Sequence, residues 1–201
     1  MCALMAEEHA RSGEAGLVDV EGVQVAPPVT EQQARGLLAA GLLADDREGL
    51  SRCWQQLIDE WDRTAAGPAL QDNIAKQRVH GEWSLVETLR HLVMVSDAWV
   101  GVGVLGRKEL HPLGLPPHFM PPDPRFTIDA DPTIEEVLAI RRGRQEMVAD
   151  AIASVDNLAR PCHGHLAQFP VLGAFQVVLS EEWAHHHFAT RDLSVLGVGR
   201  S

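Results

Sequence analysis

Apolar residues recur at helical spacing in four runs along the chain. In the first, Leu50, Trp54, Leu57, Ile58 and Trp61 stand at i, i+4, i+7, i+8 and i+11, a single stripe that ends near Gly67-Pro68. The second opens at "SLVE", where Ser84 can cap the helix and Glu87 can reach back to it, and its apolar run continues to about Leu105. The third opens with the same logic at Thr133 and Glu136 and turns Ile134, Val137, Leu138, Ile140, Met147, Val148 and Ile152 inward. The fourth starts after Pro170 and runs through Phe175 and Val178 to Leu193. These patterns predict helices near 46–66, 84–106, 133–155 and 171–197.

Between the second and third helices lies "HPLGLPPHFMPPDPRF", residues 111–126, with six prolines in sixteen residues. Proline lacks the amide proton a helix interior needs, so this stretch is a crossover strap. Upstream, "LVDVEGVQV" (17–25) alternates apolar and polar residues around Glu21-Gly22 and predicts a short hairpin or an extended arm. For "EQQARGLLAAGLLADD" a weak helix and a mixed linker are both open, and residues 1–16 are small, polar and expected to be poorly ordered. The expected fold class is all-α: a four-helix up-down bundle over 44–201, with a long strap between helices two and three and an N-terminal extension over 1–43.

Composition narrows the function classes. The net charge is −11, from 28 acidic and 17 basic residues without a Lys/Arg cluster, which argues against a nucleic-acid partner and an anionic membrane surface. The most apolar stretch, 89–105, is broken by His91, Ser96 and Asp97 and is too short to span a bilayer. The acidic start "MCALMAEEHARSGEAG" lacks the apolar core of a signal peptide, and three widely spaced cysteines fit reduced thiols. The expectation is a soluble cytoplasmic protein.

Candidate chemistry concentrates in "EEWAHHHFATRDL", residues 181–193. Successive helical residues turn by about 100°, so three adjacent histidines cannot share a face. Residues four apart can, which pairs Glu181 with His185 and Glu182 with His186. The core path through Val171, Phe175 and Val178 puts Glu181 and His185 on or near the inward face, Glu182 and His186 at its edge, and His187 outward. His91, inside the buried second run, can add a third donor, and three N/O donors suit a divalent metal with positions left open. Trp83 and Trp183 are expected to pack in the core, with the wall of a pocket mouth as the alternative for either, Arg191-Asp192 to serve structure, and His80, His111 and His118 to lie in loops. The "CHGHL" cluster at 162–166 can bind metal only adventitiously, having no second half-site. "GVGVLG" (101–106) lacks the strand that a dinucleotide-binding turn requires.

Together "HGEWSLVETLRHL", "HPLGLP" and "EEWAHHHFATRDL" resemble the DinB-like superfamily of bacterial four-helix-bundle proteins, in particular an actinobacterial-type branch, over roughly 45–197. The resemblance implies a divalent metal, zinc or nickel, held by a His on helix two and a His-x-x-x-His on the last helix. It also implies kinship with transferases and isomerases that use mycothiol or bacillithiol. Carried over, His91 and His185 match two of the histidines, while Glu181 stands where the third is usual; the register one step on, Glu182 and His186, is the second choice. The function this implies is a metal-dependent, thiol-using transferase, isomerase or hydrolase on a small molecule, working as a homodimer. The alternative is a non-catalytic bundle acting as a binding or stress-related module with a degenerate metal site.

Overall fold

The computed structural model describes residues 16–198. The expectation for residues 1–16 therefore falls, but for Gly16, outside the described residues. Strands β1 (Val18–Val20) and β2 (Val23–Val25) form an antiparallel hairpin around Glu21-Gly22, pairing Val18 with Val25 and Val20 with Val23. Helices follow at α1 (Glu31–Ala39), α2 (Arg47–Thr64), the single turn α3 (Asp72–Ala75), α4 (Leu85–Ser96), α5 (Ile134–Ser154) and α6 (Val171–Val195). The described chain is thus mostly helical, with one two-stranded sheet. None of its helices is long and apolar enough to cross a membrane.

Local chemistry starts the helices where the side chains can satisfy the first free amides. Ser84 and Thr133 each close a capping box with Glu87 and Glu136 at the heads of α4 and α5. The same device, Thr30 with Gln33, starts α1 in the stretch whose sequence left helix and linker open. Beyond Ser96 the second predicted helix continues as a π-helix, Asp97–Val104. "DAWVGVGV" mixes β-branched residues with two glycines and so favours the α-helix weakly, and its chain end widens, with Leu105 N–H donating to the Val100 carbonyl at 2.9 Å.

The four long helices pack pairwise, α2 on α5 and α6, α4 on α5 and α6. One buried cluster joins Leu50, Trp54, Leu57, Val148, Phe175 and Val178, and takes in Ala26, Leu37 and Leu42 from the N-terminal segment. A buried glutamine ties that segment down. Gln176, fully buried, accepts from Ala26 N–H at 2.9 Å and donates to the carbonyls of Gln24 (2.8 Å) and Ala44 (3.0 Å). Beside it, a Cβ on Gly173 would stand 2.2 Å from the Pro27 carbonyl oxygen, so only glycine admits this close approach. A second cluster, with Trp61, Leu89, Leu92, Val137, Ala189 and Leu193, surrounds the opposite end of α4 and α6.

The strap is held by an arginine. Arg90, 3% exposed, donates to the carbonyls of Leu113 (2.9 Å), Ala130 (2.8 Å) and Thr127 (2.8 Å), and its own carbonyl accepts from Leu115 N–H at 3.1 Å. With the Ile128 carbonyl at 3.3 Å, four backbone acceptors replace the water a buried guanidinium loses. Burial still pulls its pKa below the ordinary arginine value.

Candidate metal centre

His91 follows Arg90 on α4 and is 6% exposed. With the strap stapled to the helix, the Leu115 carbonyl arrives 3.0 Å from His91 Nδ1. A carbonyl only accepts, so Nδ1 donates to it, and Nε2, on the opposite side of the ring, is left to face other groups. Nε2 faces α6. Glu181 Oε2 lies 3.5 Å from His91 Nε2 and 3.3 Å from His185 Nε2, one turn along α6.

One donor atom from each of His91, Glu181 and His185 therefore lies within 4.8 Å of the other two. Zinc bonds of 2.0–2.2 Å in a tetrahedral arrangement place neighbouring donors about 3.3–3.6 Å apart, and both measured separations to Glu181 fall in that interval. Two imidazole nitrogens and a carboxylate oxygen make a mixed N/O set of a kind that divalent first-row metals accept. The donor set fits such an ion, with the His91 ring already oriented by its backbone partner.

Around these donors the walls are aromatic. Trp83, from the loop before α4, lies 4.8 Å from the His91 ring and stacks on His185 at 6.0 Å between centroids. Its indole N–H donates to His118 Nε2 of the strap at 3.1 Å. A cavity of 310 Å³ opens against His185, lined also by Trp83, Thr88, His118, Phe188 and Asp192. Arg191 bonds both Asp192 (2.7 Å) and Glu82, tying α6 to the loop that carries Trp83. Trp83 thus walls the cavity, whereas Trp183 packs over α1 against Gly36.

The second-choice pair is engaged elsewhere. Glu182, 1% exposed, accepts a two-pronged ion pair from Arg141 of α5 at 3.1 and 2.9 Å. His186 Nε2 is bonded to the Thr64 hydroxyl at 2.8 Å, and its ring meets Trp61 edge-on at 5.1 Å. Burial pushes the His186 pKa below its ordinary value, against the opposing pull of Glu60. Neither residue joins the cluster around His91, because the guanidinium from α5 and the hydroxyl from α2 hold them on the far side of α6. His187 is exposed, beside Trp183. Asp97 does not orient a cluster histidine; it pairs with Arg144 at 3.0 Å and accepts from His111 N–H at 2.8 Å. In "CHGHL" the Cys162 thiol is buried, which raises its pKa, and none of the three joins a metal-type cluster among the described residues.

Arg90, Leu115 and His118 escaped the sequence reading as parts of the site. Their only advance signal was the strap itself, since a segment that cannot be helical must be held by something else.

A profile of the DinB superfamily matches residues 50–189 of the chain. No curated protein and no solved structure matches it. The matched span contains His91, Glu181 and His185 and covers more than half of the 201 residues, and the chain belongs to the DinB superfamily.

Proposed function

We propose that this DinB-superfamily chain is a divalent-metal protein. His91, Glu181 and His185 hold the ion, and the adjoining cavity receives a small molecule. The observation that supports this best is the preset His91 ring. Its Nδ1 is fixed on the Leu115 carbonyl in a buried setting, so Nε2 is aimed at a carboxylate and a second imidazole. Zinc or nickel suits two imidazoles and one carboxylate. The surrounding arrangement we take to be the up-down four-helix bundle, consistent with the pairwise packing of α2, α4, α5 and α6.

When bound, a divalent ion with open positions lowers the pKa of a water or thiol and makes a nucleophile near neutral pH. The protein's own part is orientation. Trp83 and Phe188 give the cavity aromatic walls, and Thr88 and Asp192 offer polar contacts to a bound molecule. Trp83 N–H on His118 Nε2 leaves the proton of the neutral His118 ring on Nδ1, a donor at the cavity edge. The reaction class we assign is a thiol transfer, isomerisation or hydrolysis of a small molecule, with a low-molecular-weight thiol as co-substrate.

Metal analysis of the purified protein tests the first half. About one ion per chain is expected, with His91→Ala, Glu181→Ala and His185→Ala losing it, and His186→Ala and His187→Ala keeping it. Equal losses from all three adjacent histidines would instead identify a surface cluster collecting metal. Thiol-dependent turnover of a small electrophile by the loaded protein tests the second half. Full metal content without turnover would leave the site standing and sink the enzyme.

A further inference from the structure

A cavity of 460 Å³ lies where the π-helical segment, the strap and the 163–165 turn meet. It shares no lining residue with the cavity beside His185. Ala98, Val102, Leu110 and Phe126 contribute apolar lining, and Arg107 and Lys108 stand among its polar groups. The volume falls in the range of small-molecule sites.

Charge marks this cavity out. The chain carries −11 overall, yet the lining holds Arg107, Lys108 and Arg125 against a single acid, Asp123. Asp123 is already committed to Arg125, with contacts of 3.0, 2.9 and 2.5 Å. Among the described residues no carboxylate pairs with Arg107 or Lys108; the Arg107 guanidinium instead rests 3.1 Å from the neutral sulfur of Met147. Their position is built in by the backbone. Gly106, at φ +67°, ends the π-helical segment in a conformation that side chains resist, and a Cβ there would come within 3.4 Å of the His163 ring. The turn that carries the two cations is thereby held against the turn that carries His163 and His165, two further lining groups able to donate hydrogen bonds.

Two cations without a carboxylate partner beside an apolar floor call for an anion with an apolar body. A free inorganic anion would gain nothing from the floor, and a neutral apolar molecule nothing from the cations. We propose that this cavity is a second small-molecule site, and that its ligand is an amphipathic carboxylate: a medium-length aliphatic chain on Val102, Leu110 and Phe126, with its carboxylate between Arg107 and Lys108.

Sodium decanoate, kept below its micelle concentration, is the probe, titrated calorimetrically into the metal-loaded protein at low salt. Saturable one-to-one binding is expected. It should weaken about tenfold or more in the double variant Arg107→Gln/Lys108→Gln, because two charge-assisted contacts are lost. Decanol and inorganic phosphate should each bind at least tenfold more weakly than decanoate, and Val102→Phe should fill the cavity and abolish binding. Arg107 and Lys108 are exposed, so the double variant should keep the wild-type melting profile and metal content. It decides the matter even if Val102→Phe fails to fold. Absence of saturable decanoate binding, equal binding by the double variant, or equal binding of decanol or phosphate would each overturn the proposal.

Discussion

Three adjacent histidines on one helix have three fates, and the residue scale is where they are separated. His185 faces Glu181 and His91, His186 faces Thr64 and Trp61, and His187 is exposed. Removing His186 should therefore cost stability and not metal: His186→Ala loses the Thr64 bond and is expected to lower stability by about 1–2 kcal/mol, read by chemical denaturation. The neighbouring buried pair is a harsher test. Glu182→Gln leaves the Arg141 guanidinium without its counter-charge in a dry interior, and about 3–5 kcal/mol of destabilisation is expected. Replacing both partners with apolar residues, Arg141→Met with Glu182→Leu, should recover most of that loss, since no unpaired charge remains. A double variant as unstable as Glu182→Gln would count against this account of the pair.

At the scale of elements, the sequence was most legible where the rule is local. Ser84 with Glu87 and Thr133 with Glu136 mark the heads of α4 and α5 from four consecutive residues each. "TEQQ" carries the same signature for α1, but the glycines in "RGLLAAGLL" argue for a linker, and the cap together with burial of Leu37 outweighs them. The π-helical end of the second helix was not legible, because the α- and π-forms draw on the same apolar residues and differ only in which carbonyl each amide reaches. Two substitutions probe these elements. Ser84→Ala should cost about 1 kcal/mol through the lost cap. Gly173→Ala drives a methyl into the Pro27 carbonyl oxygen and should cost about 1–3 kcal/mol, with faster proteolysis of the 17–30 segment as the specific sign that the N-terminal hairpin has lifted from α6.

For the molecule as a whole, pH reaches the fold through the strap. His111 Nδ1 accepts from Leu113 N–H at 3.1 Å, which requires the neutral ring, and burial together with the nearby Arg144 lowers its pKa below 6.5 despite Asp97. The unfolded chain then takes up the proton first as pH falls. The stability contribution of His111 is complete above pH 6.5 and is lost as pH drops through that value toward the lowered one in the folded state. Thermal melts between pH 7.5 and 5 should fall less steeply for His111→Asn, which keeps an acceptor for Leu113 and does not titrate. Identical slopes would exclude this histidine as a contributor.

Periodicity and capping, both properties of a few neighbouring residues, were enough to locate four long helices, to break the chain at the proline strap and to put Glu181 and His185 on one face. They favoured Glu181 and His185 as the pair that looks at His91, but left Glu182 and His186 open as a second choice. Residues 171–180 are buried all round, so no single apolar stripe points to the axis. That choice was made by groups distant in the chain: Arg141 draws Glu182 to α5, Thr64 draws His186 to α2, and the strap, pinned by Arg90, brings the Leu115 carbonyl to His91. Each is a directional contact between segments more than twenty residues apart. Spacing along one helix carries no record of such contacts, because they exist only once the other helices have packed.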